Sequence, residues 1–187
     1  MRAMGSHWKL LPLWGLAALS LLAGCGSDSS ETTAERIYPW LKGPSREFLV
    51  RGGDNAVQTF GGEATKAERE QASQVIAAYL RARAAKDFET ECRYFSHHYI
   101  ERLVGRDAMI VTDGRVTTCP GALDYFGSAA SSDFKNTLDG PIDSLRIHKG
   151  RGWAQYHGND GRDWVVPVDK EDGKWLVSIA APLDRMK

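Results

Sequence analysis

Between Lys66 and Ala85 the apolar residues Ala72, Val75, Ile76, Tyr79, Leu80 and Ala84 return at intervals of three and four, which predicts a helix with one buried face. Thr65-Lys66-Ala67-Glu68 has the spacing of a capping box, in which a hydroxyl and a carboxylate satisfy amides left bare at a helix start. Asp87 predicts the cap of a second helix carrying Phe88, Cys92, Tyr94 and Phe95, continuing through Tyr99, Ile100 and Leu103 after a break near Ser96. Residues 105–118 read as irregular, with a short strand over 109–112. Cys119-Pro120 opens a third helix through Leu123, Tyr125 and Phe126, since proline fits a first helical turn. After Gly140 polar and apolar positions alternate instead, predicting four strands over 143–148, 153–157, 164–169 and 174–179. Short glycine-containing turns separate them, so consecutive strands are antiparallel neighbours in a meander. Helices first and sheet second give an α+β class with helices on one face.

Upstream, residues 34–62 mix Ile37, Tyr38, Trp40, Leu41, Phe48, Leu49, Val50 and Phe60 with Pro39, Pro44, Gly52-Gly53 and Gly61-Gly62. That punctuation excludes a long helix, yet the aromatics are too many for a plain solvated linker. An extended arm lying against the domain is the expectation. Further upstream, Arg2, His7 and Lys9 precede an uncharged, mostly apolar run from Leu10 to Leu22, too short as a helix to cross a hydrocarbon core of about 30 Å. It reads as the apolar region of a signal peptide. The run ends in Leu22-Ala23-Gly24-Cys25, which resembles the lipobox of bacterial lipoproteins. That resemblance implies that Cys25 is the lipid-modified first residue of the mature protein, and that the rest sits on the extracytoplasmic face of the cell membrane. The small polar residues 26–33 suit a solvated tether. The expected organisation is a signal peptide over 1–24, a lipidated tether and arm over 25–63, and a folded domain over 64–187.

Composition narrows the function. With 24 basic and 24 acidic residues in 187, the formal charge is zero, so the broad positive footprint of a nucleic-acid binder is missing and no nucleic-acid partner is expected. The leader carries basic residues and no acidic ones, which leaves the mature chain mildly acidic. With Cys25 assigned to lipid, Cys92 and Cys119 remain as a pair in an oxidising compartment, where a disulfide is the default. The competing readings are a reactive thiol, which needs a base and an electropositive pocket, and zinc, which needs four ligands. Adjacent His97 and His98 on a helix point about 100° apart and do not converge on one ion. No metal or cofactor is expected.

The order of elements carries a further resemblance. A long first helix ends in Ala-Ala-Lys-Asp-Phe, a cysteine stands in the second, Thr-Cys-Pro precedes the third, and the meander closes on Asp-Gly-Lys-Trp-Leu-Val. Over residues 64–183 this layout resembles the nuclear transport factor 2-like superfamily, in particular small secreted or lipid-anchored members from actinobacteria. The resemblance implies a cone-shaped cystatin-like roll, with three N-terminal helices packed on a curved antiparallel sheet and a pocket at the open end. Enzymes among such proteins, such as ketosteroid isomerase and polyketide cyclases, use an Asp base, a Tyr or Asp oxyanion donor, or a His-Asp pair. No Asp, Tyr or His here stands in a phrase that matches those sites, so no catalytic residue carries over.

Residues able to line such a cone are Tyr79, Tyr94, Tyr99, Trp153, Gln155, Tyr156, His157 and Trp164. Alternation places Trp153, Gln155 and His157 on one face and Ala154 and Tyr156 on the other. Aromatic walls with a few polar groups suit a small mixed pocket, and packing of a small core is the competing use of the same residues. His157 is the candidate general base, because histidine titrates near neutral pH. The expected function is a lipid-anchored extracytoplasmic binding or interaction domain without catalytic activity, whose partner is a small molecule or an envelope protein. A homodimer through the exposed sheet face is a further expectation from the resemblance. The alternative is a small cofactor-free enzyme of the polyketide cyclase or ketosteroid isomerase kind.

Overall fold

The computed structural model describes residues 38, 40–105, 110, 112–127, 138, 140–179 and 183–184, and Cys25, the leader and the tether lie outside the described residues. The fold is α+β. After a 3₁₀ turn at Pro44–Phe48 come β1 (Gly62–Glu63), α1 (Lys66–Ala84), α2 (Phe88–Cys92), α3 (His97–Leu103) and α4 (Cys119–Gly127). The meander follows as β2 (Ser144–His148), β3 (Arg151–His157), β4 (Asp163–Glu171) and β5 (Lys174–Val177), with β6 (Leu183–Asp184) last. The sheet runs β1-β2-β3-β4-β5 with every pair antiparallel, and β6 pairs with the start of β4, where β5 does not reach.

The local signals act as anticipated at α1. Thr65 Oγ1 accepts the Glu68 amide at 3.3 Å, and the Glu68 carboxylate accepts the Thr65 amide at 3.2 Å. Lys170 donates to the same carboxylate at 3.1 Å, and these bonds, the lysine's first, hold the Glu68 carboxyl below its usual range. The β2–β3 and β4–β5 turns are Lys149-Gly150 and Asp172-Gly173, with φ of 49° and 79° and of 49° and 78°. Two consecutive positive φ angles match the right-handed twist of the flanking strands, which is why glycine fills the second place.

Two local readings change. The break expected near Ser96 is present, but the helix before it ends at Cys92 and does not include Tyr94 and Phe95: Phe95 forms a parallel bridge to Val177, with Val177 N–H donating to Tyr94 O at 2.7 Å and Ser96 N–H to Val177 O at 2.8 Å. Three residues thus leave the helix to extend the edge of β5, and Ser96 then caps α3. In the strand expected over 109–112, Ile110 is helical and Thr112 sits in a turn closed by the Val116 amide on its hydroxyl at 3.3 Å; the other two residues lie outside the described residues.

One side of the sheet packs on α1. Register places Leu145 opposite Ala154, Ala154 opposite Val166, and Val168 opposite Val177, so these residues share an inner face with Tyr156, Trp164 and Trp175. Ala72, Ile76, Tyr79 and Leu80 of α1 meet them in one buried cluster. Each fully buried large apolar side chain there contributes about 1.5–3 kcal/mol.

The other side is also covered. In β4, Val165 and Val166 are 2% and 0% exposed although they point opposite ways, because the arm before β1 lies across the outer face. Gln58 donates to Gln155 Oε1 at 2.8 Å, Phe48 stacks on His157 at 4.6 Å, and Phe60 meets Trp153 edge-on at 6.5 Å. Arg146 holds the carbonyls of Phe60 and Gly61 at 2.9 and 2.6 Å. A Cβ on Gly61 would run into the Ile147 carbonyl oxygen, so only glycine lets the arm approach β2 this closely. Where part of the arm is expected to be extended, its described residues are mostly turns, and among them only Gly62–Glu63 forms a strand. Its prolines and glycines break the ladder that a strand would need.

Candidate functional site: a cleft on the outer face

The expected pocket residues divide between the two sides of the sheet. Tyr79 and Tyr156 lie on the inner side, each 0% exposed. Space for even one water would appear as accessible surface on its walls, so these two rings line no open cone. Tyr79 packs against Phe95 at 5.6 Å between centroids, and burial pushes its phenol well above the usual range. Burial does the same to Tyr156, with Asp160 adding to it. Tyr94 is half-buried at the edge bridge beside β5, and its ring packs against the same core. Trp164 is an inner-face core residue, and Gln155 is buried under the arm.

Trp153 and His157 project from the outer face. His157 Nδ1 stands 2.8 Å from Asp163 Oδ1, and its Nε2 is 4.0 Å from Glu47 Oε2. Asp163 orients the imidazole as a base would require. Yet one ring face is stacked on Phe48 and the far nitrogen looks at a carboxylate of the arm, so the histidine serves as a clamp between arm and sheet.

Trp153 opens into a cleft of about 270 Å³. Its floor is the outer face of β3 and β4, its walls are α3 and Phe60 of the arm, and its polar residues are His98, Arg102, Arg151, Asp169 and Ser178. The outward-pointing Glu171 positions α3 here by accepting the His97 amide at 3.0 Å. Tyr99 enters from the same helix, tilted against Phe95 at 4.9 Å. Sequence reasoning singles out Trp153 and Tyr99 but misses Phe60, Arg102 and Arg151. The usable signal is the four-residue spacing of His98 and Arg102, which places both on one helical face.

Two features hold the helical layer together. Cys92 at the end of α2 and Cys119 at the start of α4 form a disulfide, with Cα atoms 6.1 Å apart and a sequence separation of 27. Arg83 Nη1 meets Glu91 Oε1 at 2.9 Å, with the side chains 9% and 0% exposed. Burial holds the Glu91 carboxyl above its ordinary value, against the pull of Arg83. Among the described residues no group of three or more metal-ligating side chains is assembled, and no helix is long and apolar enough to cross a membrane. Comparison with protein-family models, curated proteins and solved structures finds no match to the chain.

Proposed function

We propose that this chain is an exported, lipid-anchored domain of nuclear transport factor 2-like layout, tethered through Cys25 to the extracytoplasmic face of the cell membrane, which binds a partner and does not catalyse. The observation that carries the binding reading is the division of the aromatics. Tyr79 and Tyr156 are sealed in the core, whereas Trp153 faces an open cleft with basic residues on its rim. The Cys92–Cys119 bond supports the compartment, because such bonds persist outside the cytosol. The finer fold in this reading is a curved sheet rolled around α1.

The enzymatic alternative has one observation in its favour, the contact of His157 with Asp163. The Glu47 carboxylate facing the other nitrogen at 4.0 Å argues against it, since a base needs a free nitrogen aimed at substrate.

A Cys25→Ser variant tests the anchor. The parent is expected to incorporate labelled palmitate and partition with detergent, and the variant to incorporate none and keep its leader. Equal labelling of both proteins, or a parent found only in the cytosol, would overturn the proposal.

A further inference from the structure

We infer that the outer cleft takes a small ring-bearing carboxylate, a ligand with one flat apolar ring and one acid group. This rests on the binding reading above and adds the ligand class. Trp153 and Pro167 face each other across β3 and β4, giving a flat apolar floor beneath the wall made by Phe60 and Tyr99. Aromatic rings and proline present broad low-polarity faces, which suit a ring lying parallel to them. An inorganic anion would leave that floor unused.

The rim supplies the opposite chemistry. Arg151 is 81% exposed and reaches its cross-strand neighbour Asp169 only at 3.9 Å, beyond hydrogen-bond distance. Among the described residues no carboxylate lies within ion-pair distance of Arg102. Two guanidiniums and His98 therefore face one acidic residue, in a chain whose formal charge is zero. A guanidinium presents paired N–H donors whose spacing matches a carboxylate, a pairing that an uncharged apolar ligand does not offer. The volume fits this class: at about 270 Å³ the cleft stands at the lower end of the roughly 300–1,000 Å³ of small-molecule sites, enough for one ring and its acid group.

The test uses the mature full-length protein in detergent micelles, with indole N–H resonances read by nuclear magnetic resonance and that of Trp153 assigned by its loss in Trp153→Phe. The probe is phenylacetate, with phenylacetamide and inorganic phosphate as comparators. Phenylacetate is expected to shift the Trp153 signal saturably, and the neutral amide to bind at least about tenfold more weakly, as the loss of a charge-assisted hydrogen bond implies. Arg102→Gln, on an exposed position of α3, is expected to weaken phenylacetate by a similar factor while leaving thermal unfolding unchanged. Should that variant not fold, Arg151→Gln provides the same readout. An unmoved Trp153 signal, equal affinity for the amide, full competition by phosphate, or undiminished binding in a folded arginine variant would each overturn the inference. Palmitate labelling of the same preparation separates the two claims. An acylated protein blind to phenylacetate sinks the ligand class alone, and an unacylated protein that binds it sinks the anchor alone.

Discussion

Replacing Cys92 and Cys119 together by alanine is expected to lower the unfolding free energy by about 3 to 4 kcal/mol, the chain-entropy value for a loop of 27 residues. The bond ties the end of α2 to the start of α4 and encloses α3, which itself forms one wall of the outer cleft. Its loss acts mainly on the unfolded chain, which becomes free to expand, so the urea m-value should rise as the midpoint falls. Urea titrations of the parent, the parent under reductant and the double variant measure this. The reduced parent should match the variant. A change below about 1 kcal/mol would mean that the helical layer is held by packing alone. Because a small domain has only about 5–15 kcal/mol of net stability, the predicted loss is large enough to expose the chain to proteolysis.

Arg83→Met is expected to cost about 3–5 kcal/mol at neutral pH, because it leaves the fully buried Glu91 carboxylate without its cation. Removing both charges in Arg83→Met/Glu91→Leu should recover most of the loss, since the apolar pair needs no compensation for desolvation. The pH dependence has a definite sign. Burial already raises the folded-state value of Glu91 above 4.5, and removing Arg83 raises it further. A group raised on folding stabilises most below its unfolded value and loses that contribution as pH rises through the folded one. The deficit of Arg83→Met should therefore be small in acid and grow as pH climbs above 4.5. Thermal unfolding of the parent and both variants across that range checks it. A deficit independent of pH would show that the arginine acts through packing and not through its charge.

The elements that rest on local chemistry are legible in the sequence alone. α1 follows its apolar spacing and capping box, and the hairpins follow Lys149-Gly150 and Asp172-Gly173, because both signals lie within a few residues of what they control. The Cys92–Cys119 bond is legible from the cysteine count and the compartment that the leader leads one to expect. Contacts across the chain are not. Gln58 and Gln155 are 97 residues apart, and neither residue announces that the arm lies on the sheet. Alternation groups Trp153 with His157 but gives no sign of which face packs on α1, since that depends on register with β2 and β4. The cleft floor requires the pairing of Trp153 with Pro167, and its wall requires α3 to be steered by Glu171. Glu91 looks in sequence like an ordinary exposed first-turn acid, and only the approach of Arg83 from α1 makes it a buried partner.

Intact-mass spectrometry of the protein taken from the membrane fraction of its native cells tests the central claim most directly. The expected species begins at Cys25, carries a diacylglyceryl group there, and is lighter by two hydrogens for the Cys92–Cys119 bond. A precursor of all 187 residues, free of lipid and with both later thiols reduced, would contradict it.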